Sequence, residues 1–166
     1  KNNSGRYEFT HSKDADSVYV LDFHMKDHNG FQFGSHNNEA RIRLNPNPEW
    51  EVNVEAGATA LNFDLSKFKV SKLKINGGAA SFDVKLGAPL AITDVEISTG
   101  VSSVNISIPQ GAACSIQTDS GLSDSHFTGF NKTSDNNYET PGFNAAAHKM
   151  HIHISGSLSD FKVNRY

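Results

Sequence analysis

The sequence predicts an all-β fold: a stacked-strand repeat, β-solenoid or sandwich-like, with coils of about 21 residues and an N-terminal strand cap. Three observations predict it. In "VEISTGVSSVNISI", Val95 to Ile108, apolar and polar residues alternate on both sides of Gly100, the period of a half-buried strand. The same pattern recurs in "VNVEAGATALNFDL" (Val52 to Leu65) and "LKINGGAASFDVKL" (Leu73 to Leu86). It returns more loosely in "SIQTDSGLSDSHFTG" (Ser115 to Gly129) and, degenerate, in "IHISGSLSDFKV" (Ile152 to Val163). The marker glycines Gly57, Gly78, Gly100 and Gly121 are spaced by 21, 22 and 21 residues. Periods of this length mark units that stack because none can bury its apolar face alone.

The elements follow in order along one β domain spanning residues 1–166. Residues 1–47 lack the repeat but carry strand-like runs, "SVYVLDFHM", "FQFGS" and "ARIRL", expected to begin the sheet and cap its first coil. "NPNPEW" is an extended linker, held so by its two prolines. Residues 48–129 are the repeat coils. Their inward sets are Val52 and Val54, Leu73 and Ile75, Val95 and Ile97 on the first strands. On the second strands they are Leu61, Phe63 and Leu65, then Phe82, Val84 and Leu86, then Val104, Ile106 and Ile108. The corner glycines are expected to turn the chain with φ > 0. Residues 130–166 hold a loop excursion, read as a capping hairpin over the last coil, and the closing coil.

Outward columns follow from the same register: Asn53, Lys74, Glu96 and Gln117; Asn62, Asp83 and Asn105; Asp64, Lys85 and Ser107. Amides, hydroxyls and opposite charges suit such ladders, as like charges directly opposite would repel.

Composition narrows the function classes. A net charge of −3 with no basic stripe excludes nucleic acid as the expected partner. The lone Cys114 excludes an intramolecular disulfide and a thiolate zinc site. No run reaches the ~18 apolar residues of a membrane helix. The chain begins at Lys1 rather than Met, so an upstream segment, a membrane anchor among the options, is expected to be missing from it.

Candidate chemistry is sparse. His151 and His153 share one outward strand face, an i, i+2 pair able to chelate a metal, but no carboxylate or cysteine adjoins them in sequence. His24, Asp27 and His28 form a second weak cluster. Sugar hydrolysis needs two carboxylates on one face. In sequential register Asp83 is flanked by Asn62 and Asn105, Asp64 by Lys85, and no column stacks two acids; Asp119 and Asp124 sit where the repeat loosens. Cys114 reads as a small buried apolar residue. No catalytic residue, cofactor or metal site is therefore expected. Phe31 and Phe33 share a strand face, and Phe127, Phe130, Tyr138 and Phe143 gather around the late excursion as a candidate binding surface for a partner chain or glycan.

The stretch "PEWEVNVEAGATALNFDLSKFKVSKLKINGGAASFDVKLG", Pro48 to Gly87, with the following "VEISTGVSSVNISIP", resembles the toast-rack β domains of bacterial envelope proteins. These include the C-terminal domains of LiaF-like, cell wall-active antibiotic response proteins and related adhesin-like proteins. The resemblance runs well from Ala40 to about Ser123. It implies a non-enzymatic β domain displayed outside the cytoplasmic membrane, linked to envelope-stress sensing or surface interaction, with a protein or cell-envelope component as partner. The family has no catalytic motif to carry over. The alternatives are a carbohydrate-active β-helix enzyme and a cytosolic β scaffold that self-assembles.

Overall fold

The computed structural model describes residues 7–13, 19–25, 41–120 and 124–166. The chain divides into two compact units, Lys1–Ile42 and Arg43–Tyr166. In the first, β1 (Tyr7–Lys13) and β2 (Tyr19–Met25) pair antiparallel as a separate two-stranded sheet. Of the N-terminal runs expected to begin the sheet, "SVYVLDFHM" holds β2, whose partner among the described residues is β1. The run "ARIRL" is not a strand over the described Arg41–Leu44, and "FQFGS" lies outside the described residues. The linker is bent rather than extended. Asn47 N–H donates to Asn45 Oδ1 (3.0 Å), and the Trp50 indole donates to Asn45 O (2.9 Å).

The second unit is the stack. Its long strands are β3 (Glu49–Leu65), β4 (Lys69–Leu86) and β5 (Ile92–Ile108); β6 (Ala113–Ser120) and β7 (Asp124–Phe127) are shorter. A hairpin of β8 (Asn131–Ser134) and β9 (Asn137–Glu139), a 3-10 turn at Phe143–Ala145 and the long β10 (Lys149–Arg165) complete it. Apart from that turn the described secondary structure is β, as the repeat predicts. The sheet order is β3-β4-β5-β10-β6-β9-β8, with β7 also pairing β10. All pairs among β3, β4, β5, β10, β6 and β7 are parallel and align equivalent positions of the repeat, so Val52, Leu73, Val95, Ile152 and Ile116 form one row.

The closing coil is not the last rung. β10 lies between β5 and the β6–β7 pair, and β9 covers β6 antiparallel, so the excursion is a capping hairpin on the outermost rung.

Each long strand switches faces at its bend. In β5, Thr93, Val95, Ile97 and Thr99 are buried, then Ser102, Val104, Ile106 and Ile108, with Gly100 and Val101 the two successive residues between. Both arms therefore turn their apolar residues into one core. Leu73, Ile75, Phe82, Val84, Ile106, Ile154, Phe161 and Val163 are at most 1% exposed there, each contributing roughly 1.5–3 kcal/mol over an exposed position.

Of the corner glycines, Gly121 lies outside the described residues, and the other three act differently from expectation. Among the described residues only Gly129, Gly142 and Asn136 have positive φ; Gly57, Gly78 and Gly100 do not. The constraint is stacking. A Cβ on Gly78 would stand 3.2 Å from Gly57 O, and one on Gly100 3.0 Å from Gly78 O. From Gly57 to Gly100, each bend comes so close to the next that a Cβ there would force the backbone to shift.

Candidate functional site: a polar trough across the bends

The bare glycine bends leave a depression on the outside of the stack. Two residues before each bend, a polar side chain points outward: Glu55, Asn76, Ser98, Ser155 and Asp119, one per strand in neighbouring register. Together with Gly57, Gly78 and Ser157 they line an open trough of about 890 Å³. Strands lie about 4.8 Å apart, so the four gaps from Glu55 to Asp119 span roughly 19 Å. Ser98 and Ser155 share a hydrogen bond between hydroxyls (2.9 Å), and Asp119 Oδ2 meets His153 Nε2 at 3.1 Å. Glu55 and Asn76 have no side-chain partner among the described residues. The arrangement offers donors and acceptors at strand spacing along one line. This row was missed in the sequence, where its signal is the residue two before each marker glycine.

Beside it, the outer face of the first arms forms a second groove of about 480 Å³, lined by Asp94, Glu96, Ser115, Gln117, Glu139, His151 and His153. The expected Lys74–Glu96 pair is present at 3.9 Å, and Lys72 reaches Glu96 at 3.1 Å. The hydrogen bond from Lys72 holds the Glu96 carboxyl below the ordinary range and raises Lys72 in return. Because β10 is inserted, His153 separates Glu96 from Gln117 in that column. His151 Nδ1 lies 3.0 Å from Ser115 Oγ. The two histidines do share the outward face, but each engages a different neighbour. Among the described residues, no group of three or more His, Cys, Asp or Glu could hold a metal ion. His24 contacts Asp22 (3.3 Å) and Glu8 (3.7 Å); Asp27, His28, Phe31 and Phe33 lie outside the described residues.

The carboxylate columns hold in part. Asp83 is flanked by Asn62 and Asn105, and Asp64 pairs in register with Lys85. Hydrogen bonds from the Ser66 hydroxyl and N–H hold Asp64 below the ordinary carboxylate range. The expectation that no column stacks two acids is corrected: with β10 beside β7, Asp160 and Asp124 are Cα partners. Lys162 Nζ, 2.8 Å from Asp160 Oδ2, neutralises that member. Cys114 is fully buried within β6, and burial pushes its thiol up to about 12.

Three of the four aromatics come together. Phe127 meets Tyr138 edge-on at 4.8 Å and Phe130 at 6.4 Å, all three half-buried against the core. Phe143 packs elsewhere, buried, edge-on to His151 at 5.5 Å with Lys149 over its ring.

Comparison with known proteins bears on the fold. The crystal structure of a "putative cell adhesion protein" from Clostridium sporogenes ATCC 15579 superposes with a TM-score of 0.88 at 19% identity, covering 99% of this chain and 79% of that one. No curated protein matches. Residues 2–107 match the family described as "N-terminal domain of toast_rack, DUF2154". That match spans more than half of the sequence, and the chain belongs to this toast-rack family.

Proposed function

We propose that this is a non-enzymatic, extracytoplasmic interaction domain of the cell envelope, adhesin-like, that recognises a protein or envelope component along the polar trough. The observation that carries the reading is the row Glu55, Asn76, Ser98, Ser155, Asp119, a line of hydrogen-bonding side chains on a rigid stack and open along its length. Such a row suits recognition of an extended partner by many modest contacts. Membership of the toast-rack family and the likeness to the Clostridium cell adhesion protein support the same role.

Fractionating cells that express the complete gene product tests it. Recovery with the membrane, with the domain open to external protease, is the expected result. Recovery in the cytosol overturns the reading and favours a self-assembling scaffold.

A further inference from the structure

The two ends of the stack are finished differently. At one end, β9 and β8 cover β6 antiparallel. At the other, β3 pairs with β4 on one side and, among the described residues, with no strand on its other side. A 17-residue parallel strand thus presents a row of alternate N–H and C=O groups. Its interior is unfinished too: Val52, Val54, Leu61 and Phe63 are only half-buried, whereas Leu73, Ile75, Phe82 and Val84 beside them are at most 1% exposed. A Cβ on Gly57 would meet nothing within 4 Å, while those on Gly78 and Gly100 meet the preceding bend. Within the second unit, no described residue occupies the position of one more rung beyond β3.

The charges on this edge say what kind of rung. Glu49, Glu51 and Glu55 point outward from β3 and are exposed. Lys69 and Lys72 of β4 stand in register with Glu49 and Glu51, and Lys72 is drawn electrostatically to Glu51, but the close ion pairs of Lys72 and Lys74 are with Glu96 on the far side (3.1 and 3.9 Å). Among the described residues these three carboxylates have no ion pair. A second copy offering the same edge would add a second acidic row to the first. A copy stacked head to tail would meet the β8–β9 hairpin where its first arm should pair.

We propose that the β3 edge receives an extended strand of another polypeptide in which basic and apolar residues alternate. Its backbone continues the parallel ladder, its apolar residues complete the half-buried row, and its Lys or Arg residues face Glu49, Glu51 and Glu55. The pattern required is that of the first arm of β4, where Lys72, Leu73, Lys74 and Ile75 stand in register beside Glu51, Val52, Asn53 and Val54 of β3. The inference names a partner class for the interaction domain proposed above but stands on the edge geometry, so it and the fractionation experiment can fail separately.

The test titrates the full chain with two labelled peptides that share one alternating apolar sequence, one with Lys and one with Glu between the apolar residues. Fluorescence anisotropy reads affinity, and amide hydrogen exchange reads β3. The Lys peptide is expected to bind about tenfold more tightly, the sum expected of three exposed ion pairs, and to slow exchange between Glu49 and Leu65. The triple substitution Glu49→Lys, Glu51→Lys and Glu55→Lys is expected to reverse the preference. Three results overturn the proposal: equal affinity for both peptides, binding of neither, or β3 edge amides already protected in the free chain.

Discussion

The ring of Phe82 lies against Gly77, five residues earlier on the same strand, where a Cβ would stand 2.5 Å from its Cζ. The relationship repeats at Phe161 and Gly156, with a hypothetical Cβ 2.7 Å from the ring. In the same register positions β3 carries Ala56 with Leu61, and β5 carries Thr99 with Val104. A larger residue at the bend accompanies a smaller one in the arm, so each rung fills a similar volume.

Gly77→Ala is expected to destabilise the fold by about 1–3 kcal/mol through overpacking against Phe82. Adding Phe82→Leu, which reproduces the Ala56–Leu61 rung, should recover much of that loss. Urea unfolding of the two single variants and the double variant measures the coupling.

Gly100→Ala should cost a similar ~1–3 kcal/mol, with no rescue by trimming a side chain, because the clash is with the backbone oxygen of Gly78. Gly57→Ala should be tolerated or gain about 0.5 kcal/mol, since its bend has ordinary φ and open space. Thermal melts of both variants would show opposite signs.

Cys114 should resist thiol reagents at pH 8 in the native protein and react at once on unfolding. Burial lifts its folded pKa from 9.0 to about 12, so the unfolded chain ionises first. The associated stability is complete below pH 9.0 and is lost as the pH climbs towards about 12. Labelling followed by mass spectrometry, with and without urea, checks the first part.

Glu96 contributes in the opposite window. Its folded pKa lies below 4.5, so its contribution is present above that value and is lost as the pH falls through the folded pKa. The urea midpoint of the native protein should therefore drop further on acidification than that of Glu96→Gln. Equal drops would mean that Lys72 and Lys74 do not hold this carboxylate in solution.

Thr140→Val should cost about 1–3 kcal/mol, as it strands a buried donor: the Cys114 N–H gives its hydrogen bond to Thr140 Oγ1 at 2.9 Å. Loss confined to the β8–β9 hairpin, seen by hydrogen exchange, would show that Thr140 fastens only the cap.

Period-two alternation was enough to place the inward residues of β3, β4 and β5, because burial on one face is written directly into the spacing of Leu, Ile, Val and Phe. Neighbour order was not legible. Each rung carries nearly the same pattern, so nothing local says that β10 pairs with β5 rather than following β7. One signal was available: Ile152, Ile154, Phe161 and Val163 make a richer apolar set than Ile116 and Phe127, as a long strand with both arms in the core requires. The columns pairing Glu96 with His153 and Asp160 with Asp124 depended on that order and were hidden with it. Strand β1 was missed because its alternation, Phe9 and His11 between polar residues, is short and carries few apolar residues.

The position of β10 also governs the sequence of events during synthesis. β3, β4 and β5 can zip together as they emerge, each closing a loop of one repeat. β6 then leaves the ribosome with its place beside β5 reserved for a strand not yet made, since Ser98 must wait for Ser155, 57 residues later. The core under the last two rungs cannot close before β10 is made, because β10 supplies Ile152, Ile154, Phe161 and Val163 to it. Both ladders of β10 depend on the last strand made, so the sheet is completed at its middle rather than at its edge.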